Sequence, residues 1–174
     1  MIERLRPQLS ELIISANGDR ARFSPFGLPV VEDRLGDHAG PLAGVHAGLE
    51  RVRANRSESR FVIPAASDTP FLPTDLVSRF REAIGQSQPK LLVARSKEGL
   101  HPTFGLWPVS LGAALSDSLE AGDRKASDWV RQHQTEDVMF PQIEAGGRSI
   151  DPFFNINRPD ELIAAEAFLQ ASAA

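Results

Sequence analysis

Apolar residues along this chain follow two different periods, and the alternation between the two predicts an α/β fold. Short apolar runs bounded by turn residues predict strands at 12–16, 28–31, 61–63, 90–95, 103–108 and 138–140. Helical spacing of apolar residues predicts helices at 41–53, 74–84, 111–119, 126–133 and 160–169. Strands that alternate with helices favour an α/β sandwich with a mainly parallel sheet. A chain of 174 residues suits a single domain, 1–174, with a sizeable core.

The stretch from Phe61 to Leu76 combines a strand, a turn and a helix, and it contains the first candidate for chemistry. The run at 61–63 predicts a strand buried on both faces, and Asp68 follows it in a turn that contains two prolines. Open α/β sheets bind ligands at the carboxyl ends of their strands, so Asp68 stands where a metal or phosphate ligand is wanted. The structural alternative is an aspartate that hydrogen-bonds to its own turn.

Two further groups of residues could bind charged ligands. The run Gly40–Gly44 precedes a predicted helix, whose unpaired amides and dipole favour anions; simple helix initiation by Pro41 is the alternative. Asp33, Asp37 and Asp68 could form an acidic patch for a hard cation such as Mg²⁺, which takes one or two protein carboxylates. For this patch the alternative is a set of solvated loop acids.

Polar residues near the end of the chain suggest recognition of a heterocycle. Asn155 and Asn157 are two residues apart and therefore lie on one side of an extended segment, where their amides could match a donor and acceptor edge. An equally supported interpretation is that the asparagines cap the helix at 160–169. His101, followed by Pro102 and Thr103, could orient a polar substrate, although a single histidine is more often structural or exposed.

Composition excludes several classes of protein. The chain has no cysteine, which excludes disulfides, thiolate catalysis and cysteine-ligated zinc, and its net charge of −4 does not favour nucleic acid. It contains no Walker loop and no Gly-x-Ser-x-Gly elbow, and its four histidines lack zinc-ligand spacing. No 18-residue apolar span or signal sequence is present, so we expect a cytoplasmic protein without a membrane anchor.

The order of the motifs is more specific than any one of them. Together they resemble the molybdenum cofactor guanylyltransferase family, from near residue 1 to about residue 168. The motifs are Glu32-Asp33, Gly40-Pro-Leu-Ala-Gly44, Ser67-Asp-Thr-Pro70, His101-Pro-Thr103, Phe154-Asn-Ile-Asn157 and Pro159-Asp-Glu-Leu162. The resemblance implies a Rossmann-like three-layer α/β domain that transfers GMP from GTP to the phosphate of molybdopterin or the molybdenum cofactor, with Mg²⁺, and releases pyrophosphate. It also implies cofactor-insertion chaperones and molybdoenzymes as partners.

The same resemblance assigns roles to individual residues. Asp68 would be the catalytic residue and the Mg²⁺ ligand beside the GTP phosphates. Asparagines 155 and 157 would face the pterin, with Arg124 or Lys125 as candidate partners for its phosphate. The nucleotide would be bound by Ser15, Asp33, Gly40, Pro41, Leu42, Gly44 and Asp68.

Two departures from the family pattern leave alternatives open. The family begins with a strand and a Gly-rich loop that wraps the GTP phosphates, and this sequence lacks both, so we expect the first βα unit, about 35 to 40 residues, to be missing. The family's guanine-reading asparagine falls on Ser15, which makes fewer hydrogen bonds than a carboxamide. The alternatives are a related enzyme with another acceptor or base, such as a cytidylyltransferase, a non-catalytic pterin-binding module, and an unstable fragment.

Overall fold

The computed structural model describes residues 1–33, 40–56, 58–85, 90–145 and 147–172. The strands are β1 (Ile14–Ser15), β2 (Val30–Val31), β3 (Phe61–Val62), β4 (Leu91–Ser96), β5 (Gly99–Pro108), β6 (Thr135–Met139), β7 (Ile143–Ala145) and β8 (Arg148–Ile150). The α-helices are α1 (Ile2–Leu5), α2 (Pro41–Ala54), α3 (Leu76–Ile84), α4 (Gly112–Glu120), α5 (Ala126–Gln132) and α6 (Pro159–Ser172). Short 3₁₀ segments cover Arg6–Gln8, Arg20–Phe26 and Val109–Leu111.

Four strands form the central sheet in the order β3-β5-β4-β6. Strand β4 is parallel to β6, whereas β5 is antiparallel to both β3 and β4. Strands β3, β4 and β6 therefore share one direction. A separate parallel pair, β1 and β2, and an antiparallel hairpin, β7 and β8, complete the described strands. The predicted mainly parallel α/β sheet is confirmed, with β5 as the strand that runs the other way.

Strand β4 shows why the fold has three layers. Leu92 and Ala94 pack in one apolar cluster with side chains of α1 and α3, whereas Leu91 and Val93 pack in a second cluster with α2, α4 and α5. Successive residues of a strand point to opposite faces, so both faces of the sheet are covered by helices. All four side chains are at most 1% exposed, which accounts for the continuous apolar run in the sequence.

Strand β5 is longer than the sequence predicts. Residues 99–102, which precede the predicted strand at 103–108, belong to the strand, and the register shifts where Val93 opposite Gly105 is followed by Ala94 opposite His101. Pro102 lies in this irregular part, which suits a residue with no amide hydrogen for the ladder. Pro108 ends the strand opposite Phe61.

Strand β3 differs from its prediction in burial. Its residues Phe61 and Val62 are only partly buried, whereas the sequence predicts a strand buried on both faces. The reason is its place in the sheet, since β3 is the terminal strand of the four and pairs within that sheet with β5 alone.

No helix in the described part of the chain is long and apolar enough to cross a membrane. The longest of them, α2 and α6, have 14 residues each, whereas a spanning helix needs about 20.

The packing around Gly105 gives a test of the fold. A Cβ at this position would lie 2.4 Å from the Leu92 carbonyl oxygen and 3.1 Å from Nε1 of Trp107. We expect Gly105→Ala to lose about 1 to 3 kcal/mol of stability, because backbone atoms of the neighbouring strand must move. Thermal unfolding followed by circular dichroism should show a decrease of several degrees.

Gly112→Ala provides the control for this substitution. A Cβ at Gly112 would meet Oε1 of Glu50 at 3.4 Å, an ordinary contact with a flexible side chain, and the residue lies in α4. An alanine there is expected to keep or raise the melting temperature, because alanine has a higher helix propensity than glycine. Equal melting temperatures for Gly105→Ala and the wild type would contradict the close packing of β4 and β5.

Candidate active site

The turn after β3 carries a carboxylate with an unused oxygen. Asp68 is half-buried, and its Oδ1 is buried without a hydrogen-bond partner among the described residues. The next residues anchor the turn, since Thr69 and Leu72 are fully buried and Phe71 is 1% exposed. A buried polar atom without a partner is costly unless a ligand completes it. The turn therefore holds a ligand-competent oxygen on a rigid support.

A segment from the far end of the chain docks on this turn. The Ile156 amide donates to the Asp68 carbonyl oxygen at 2.9 Å. The Thr69 hydroxyl donates to Oδ1 of Asn155 at 2.6 Å, which leaves the Asn155 amide hydrogens directed elsewhere. The structure thus brings together Asp68 and the asparagine segment, two of the features that the sequence singled out.

The start of α6 is capped by a glutamate. Oε2 of Glu161 accepts the amide of Asn157 at 2.7 Å and the amide of Arg158 at 3.0 Å. The hydrogen bond from Asn157 is the main cause that lowers the pKa of Glu161, with the bond and charge of Arg158 acting in the same direction. The capping role that the sequence allowed for the asparagines is therefore filled by this carboxylate.

A second group of candidate residues lies at the ends of β1 and β2. Nδ2 of Asn17 donates to Oδ2 of Asp33 at 3.3 Å, and the Asp33 amide donates to Oδ1 of Asn17 at 3.0 Å. The two residues thus hold each other across the ends of two parallel strands. Ser15 is the exposed last residue of β1.

The two glycines of the run Gly40–Gly44 lie close to neighbouring residues. Gly40 has φ of 68°, and a Cβ there would lie 3.0 Å from the Arg124 carbonyl oxygen. A Cβ on Gly44 would lie 3.3 Å from Oγ of Ser15. Pro41 begins α2 and Leu42 is fully buried. The start of α2 therefore contacts both the β1 end and the α4–α5 connection.

Arg124 and Lys125 lie in that connection, beside Gly40. Nη1 of Arg124 donates to the carbonyl oxygens of Leu119 at 2.7 Å and Asp123 at 2.8 Å, at the C-terminal end of α4. Lys125 is exposed and precedes α5. The described contacts of this pair thus link it to the glycine run rather than to the asparagine segment.

Helix α2 connects the two groups of candidate residues. Gly44 faces Ser15 in β1, and a Cβ on Gly48, one turn later, would lie 3.1 Å from Cγ1 of Val62 in β3. Strand β3 leads directly into the Asp68 turn. Asp37, the third member of the predicted acidic patch, lies outside the described residues.

The residues of the site suit a hard cation held by few protein ligands. In the described ranges, no group of three or more His, Asp or Glu side chains comes together as a metal site. Magnesium needs only one or two carboxylates because it keeps several waters. The unpartnered Oδ1 of Asp68 is an oxygen of the required type.

Sequence reasoning missed three residues of this region. Asn17 and Asp151 were given no functional role, and Thr69 entered only as a member of the motif Ser67-Asp-Thr-Pro70. For Asn17 and Thr69 the signal was their position after a predicted strand, because their partners lie far away in the sequence, at 16 and 86 residues.

The fold and these residues define the class of the protein. An α/β sheet covered on both faces, with a carboxylate beyond β3, paired polar side chains beyond β1 and β2, and a glycine-initiated helix between them, is typical of nucleotide-binding enzymes. A family model described as the MobA-like NTP transferase domain matches residues 1–138.

Relatives of known name agree with this match. The chain is 44% identical over 172 residues to the molybdenum cofactor guanylyltransferase of Mesorhizobium japonicum, covering 98% of this chain and 81% of that protein. It is 41% identical over 167 residues to the enzyme of the same name from Rhodopseudomonas palustris, covering 95% and 77%. The chain belongs to the MobA-like NTP transferase family, which confirms the resemblance inferred from the motifs.

Solved structures share the fold. The molybdopterin-guanine dinucleotide biosynthesis protein A of Archaeoglobus fulgidus superposes with a TM-score of 0.68 at 19% identity, covering 97% of this chain and 85% of that one. A protein of Aquifex aeolicus superposes with a TM-score of 0.69 at 20% identity, covering 90% and 76%. The predicted Rossmann-like architecture is thereby confirmed.

The bond between Thr69 and Asn155 can be tested directly. Thr69→Val keeps the volume of the buried side chain but removes the donor, so we expect a loss of about 1 kcal/mol and a melting temperature a few degrees lower. Thr69→Ser retains the hydroxyl and serves as the control, with a smaller decrease. A valine variant that melts with the wild type would show that this bond does not stabilise the docked segment.

The cap of α6 should make stability depend on pH. Because the folded-state pKa of Glu161 is lowered, its carboxylate stabilises the fold above the unfolded-state pKa, and this contribution is lost as pH falls through the lowered value. Glu161→Gln should therefore melt below the wild type at neutral pH, and the two should converge in acid. The measurement is thermal unfolding at several pH values.

Asp160→Asn is the matched control for the cap. Asp160 adjoins Glu161, but its carboxylate is 70% exposed and pairs only at the surface with Arg158. Exposed pairs of this kind contribute little. A difference between wild type and Glu161→Gln that did not change with pH would contradict the capping role.

Proposed function

We propose that this chain transfers GMP from GTP to the terminal phosphate of molybdopterin or the molybdenum cofactor, with release of pyrophosphate. Family membership and the names of the relatives support this reaction. The observation that carries it is the buried Oδ1 of Asp68, which has no hydrogen-bond partner in the part of the chain that the structure describes and lies in the turn on which the asparagine segment docks. This region combines a carboxylate oxygen suited to a cation with asparagine amides suited to a heterocycle.

Asp68 is the proposed Mg²⁺ ligand. Its Oδ1 would contribute one protein oxygen to the ion, and solvent and phosphate oxygens would supply the others. A bound Mg²⁺ supplies neutralisation of the charge on the phosphate chain. The chain itself contributes the fixed position of the carboxylate, which the buried Thr69 and Phe71 maintain.

The nucleotide would occupy the β1, β2 and α2 side of the site. The Asp33 carboxylate, held by Asn17, is an acceptor for the N–H donors of guanine. Ser15 and the backbone amides of the run Gly40–Gly44, other than that of Pro41, which has no N–H, would complete the nucleotide site. The left-handed φ of Gly40 is what allows the backbone to approach there without a side chain.

The acceptor would bind on the opposite side. The amides of Asn155 and Asn157 are suited to the donor and acceptor edge of the pterin. Arg124, whose carbonyl oxygen adjoins Gly40, and the neighbouring Lys125 lie on the nucleotide side, so they would neutralise the acceptor phosphate where it meets the phosphates of GTP. Since one nitrogen of Arg124 already binds the end of α4, Lys125 has the greater freedom. We further propose a cytoplasmic location and transfer of the product to cofactor-insertion chaperones and molybdoenzymes, as the family resemblance implies.

Catalysis in this scheme is mainly alignment of two anions. A phosphate oxygen of the acceptor attacks the α-phosphorus of GTP, the new P–O bond forms, and the bond to the pyrophosphate leaving group breaks in line with it. The protein contributes orientation and charge neutralisation rather than a covalent intermediate.

The reaction is tested with the purified chain, the molybdenum cofactor and Mg²⁺. Pyrophosphate release and mass spectrometry of the dinucleotide product are measured with GTP, CTP, ATP and UTP in turn. We expect product with GTP. Product with CTP alone would favour a cytidylyltransferase, and pterin binding without product from any nucleotide would favour a non-catalytic module.

Substitution of Asp68 tests its assigned role. Asp68→Asn keeps the shape of the side chain but removes its charge, so we expect turnover to fall about 10²- to 10³-fold while the melting temperature is maintained. Asp75→Asn is the control, because Asp75 lies nearby before α3 and its exposed carboxylate pairs only with Arg79. Full activity of Asp68→Asn would contradict the proposed site.

A further inference from the structure

His101 connects the central sheet to the segment that carries the asparagines. Nε2 of His101 lies 2.7 Å from Oγ of Ser96, the last residue of β4, and 3.8 Å from Oδ1 of Asp151. Its ring also packs against Phe153, with the centroids 4.5 Å apart. The imidazole therefore contacts the sheet on one side and the beginning of the 151–157 segment on the other.

Burial favours the neutral form of the His101 ring. It lowers the pKa of His101, and this effect exceeds the opposing effects of the charges on Asp151 and Glu98. The hydrogen bond between Oγ of Ser96 and Nε2 of His101 links the ring to the end of β4, and the tautomer of the ring determines which atom donates. Oγ of Ser96 also accepts the Glu98 amide at 3.1 Å.

Asp151 starts the segment and is itself tightly held. It is 8% exposed, and its Oδ1 accepts the Phe153 amide at 2.7 Å, which closes a turn. The Phe153 ring is 3% exposed and packs on Phe104 at 4.9 Å and Phe140 at 5.2 Å. Asn155 is only two residues farther on, so the placement of this turn determines how Asn155 meets Thr69.

We infer that His101 is a positioning residue for the acceptor side of the site: it holds the 151–157 segment in the place where Asn155 and Asn157 can bind the pterin. The inference rests on the proposed function, since that function assigns acceptor binding to the two asparagines. His101 acts through Asp151 and Phe153 and does not contact the substrate.

Hydrogen exchange tests the positioning role without any need for activity. His101→Leu removes the hydrogen bond with Ser96 and the ring packing on Phe153, so the amides of residues 153–157, including the Ile156 amide bound to Asp68, should exchange about tenfold faster. His101→Gln, which can still hydrogen-bond with Ser96, should restore most of the protection. Unchanged exchange in His101→Leu would overturn the inference.

His133→Leu is the matched control. His133 also packs on an aromatic ring, with centroids 3.6 Å from Trp129, and Nδ1 lies 2.8 Å from the Trp129 carbonyl oxygen. His133 directly follows α5, so its loss should not change the amide exchange of residues 153–157. Equal acceleration in both leucine variants would indicate general destabilisation and overturn the inference. Should His101→Leu fail to fold, Ser96→Ala removes the hydrogen bonds of this hydroxyl with His101 and with the Glu98 amide and should change exchange in the same direction.

Kinetics separates positioning from a purely structural role. In His101→Leu, KM for the molybdenum cofactor should rise about tenfold, the equivalent of one hydrogen bond, while KM for GTP stays unchanged. A rise in KM for GTP alone would overturn the inference. If the wild-type chain transfers no GMP, the proposed function fails, and the exchange experiment alone decides whether His101 positions the segment.

Discussion

Two hydrogen bonds between parts of the chain about 86 residues apart hold the candidate site together. Thr69 binds Asn155, and Ile156 binds the carbonyl oxygen of Asp68. Closing a loop of this length costs conformational entropy, which the packing of the intervening sheet and helices must offset. The site therefore depends on the fold as a whole and on the buried Thr69 in particular.

The direction of β5 determines which residues gather at the site. The parallel strands β3, β4 and β6 end at one edge of the sheet, and the antiparallel β5 begins at that same edge, with Gly99 opposite Ser96. Residues near its start, His101 among them, consequently lie beside the ends of β4 and β6. A wholly parallel sheet would place this histidine at the opposite edge.

Sequence patterns predicted the helices and strands better than the contacts between their side chains. Helices α2 to α5 follow from apolar periodicity, because each buries one face, and the continuous apolar run of β4 indicates a strand buried on both faces. Helix α6 was also predicted, and it buries Ala165 and Phe168 while Leu162 and Ile163 stay exposed. The extension of β5 was missed because Pro102 normally marks a loop, and here a register shift accommodates it. Asp68 and Asn155 could be named from strand-end position and motif order, but their contact could not, since spacing in the sequence carries no information on tertiary neighbours. The role of His101 could not be decided from the sequence for the same reason, because its partners Ser96 and Asp151 lie on different parts of the fold.

The close approaches of Gly44 to Ser15 and of Gly48 to Val62 have a consequence for the placement of α2. The two glycines are one helical turn apart, about 6 Å along the axis. Because α2 touches β1 at one glycine and β3 at the other, a side chain added at either position would push the helix away from one strand and leave it against the other. A bulky residue at Gly44 or Gly48 would thus tilt α2 and shift the end of β1 relative to the strand that leads into the Asp68 turn.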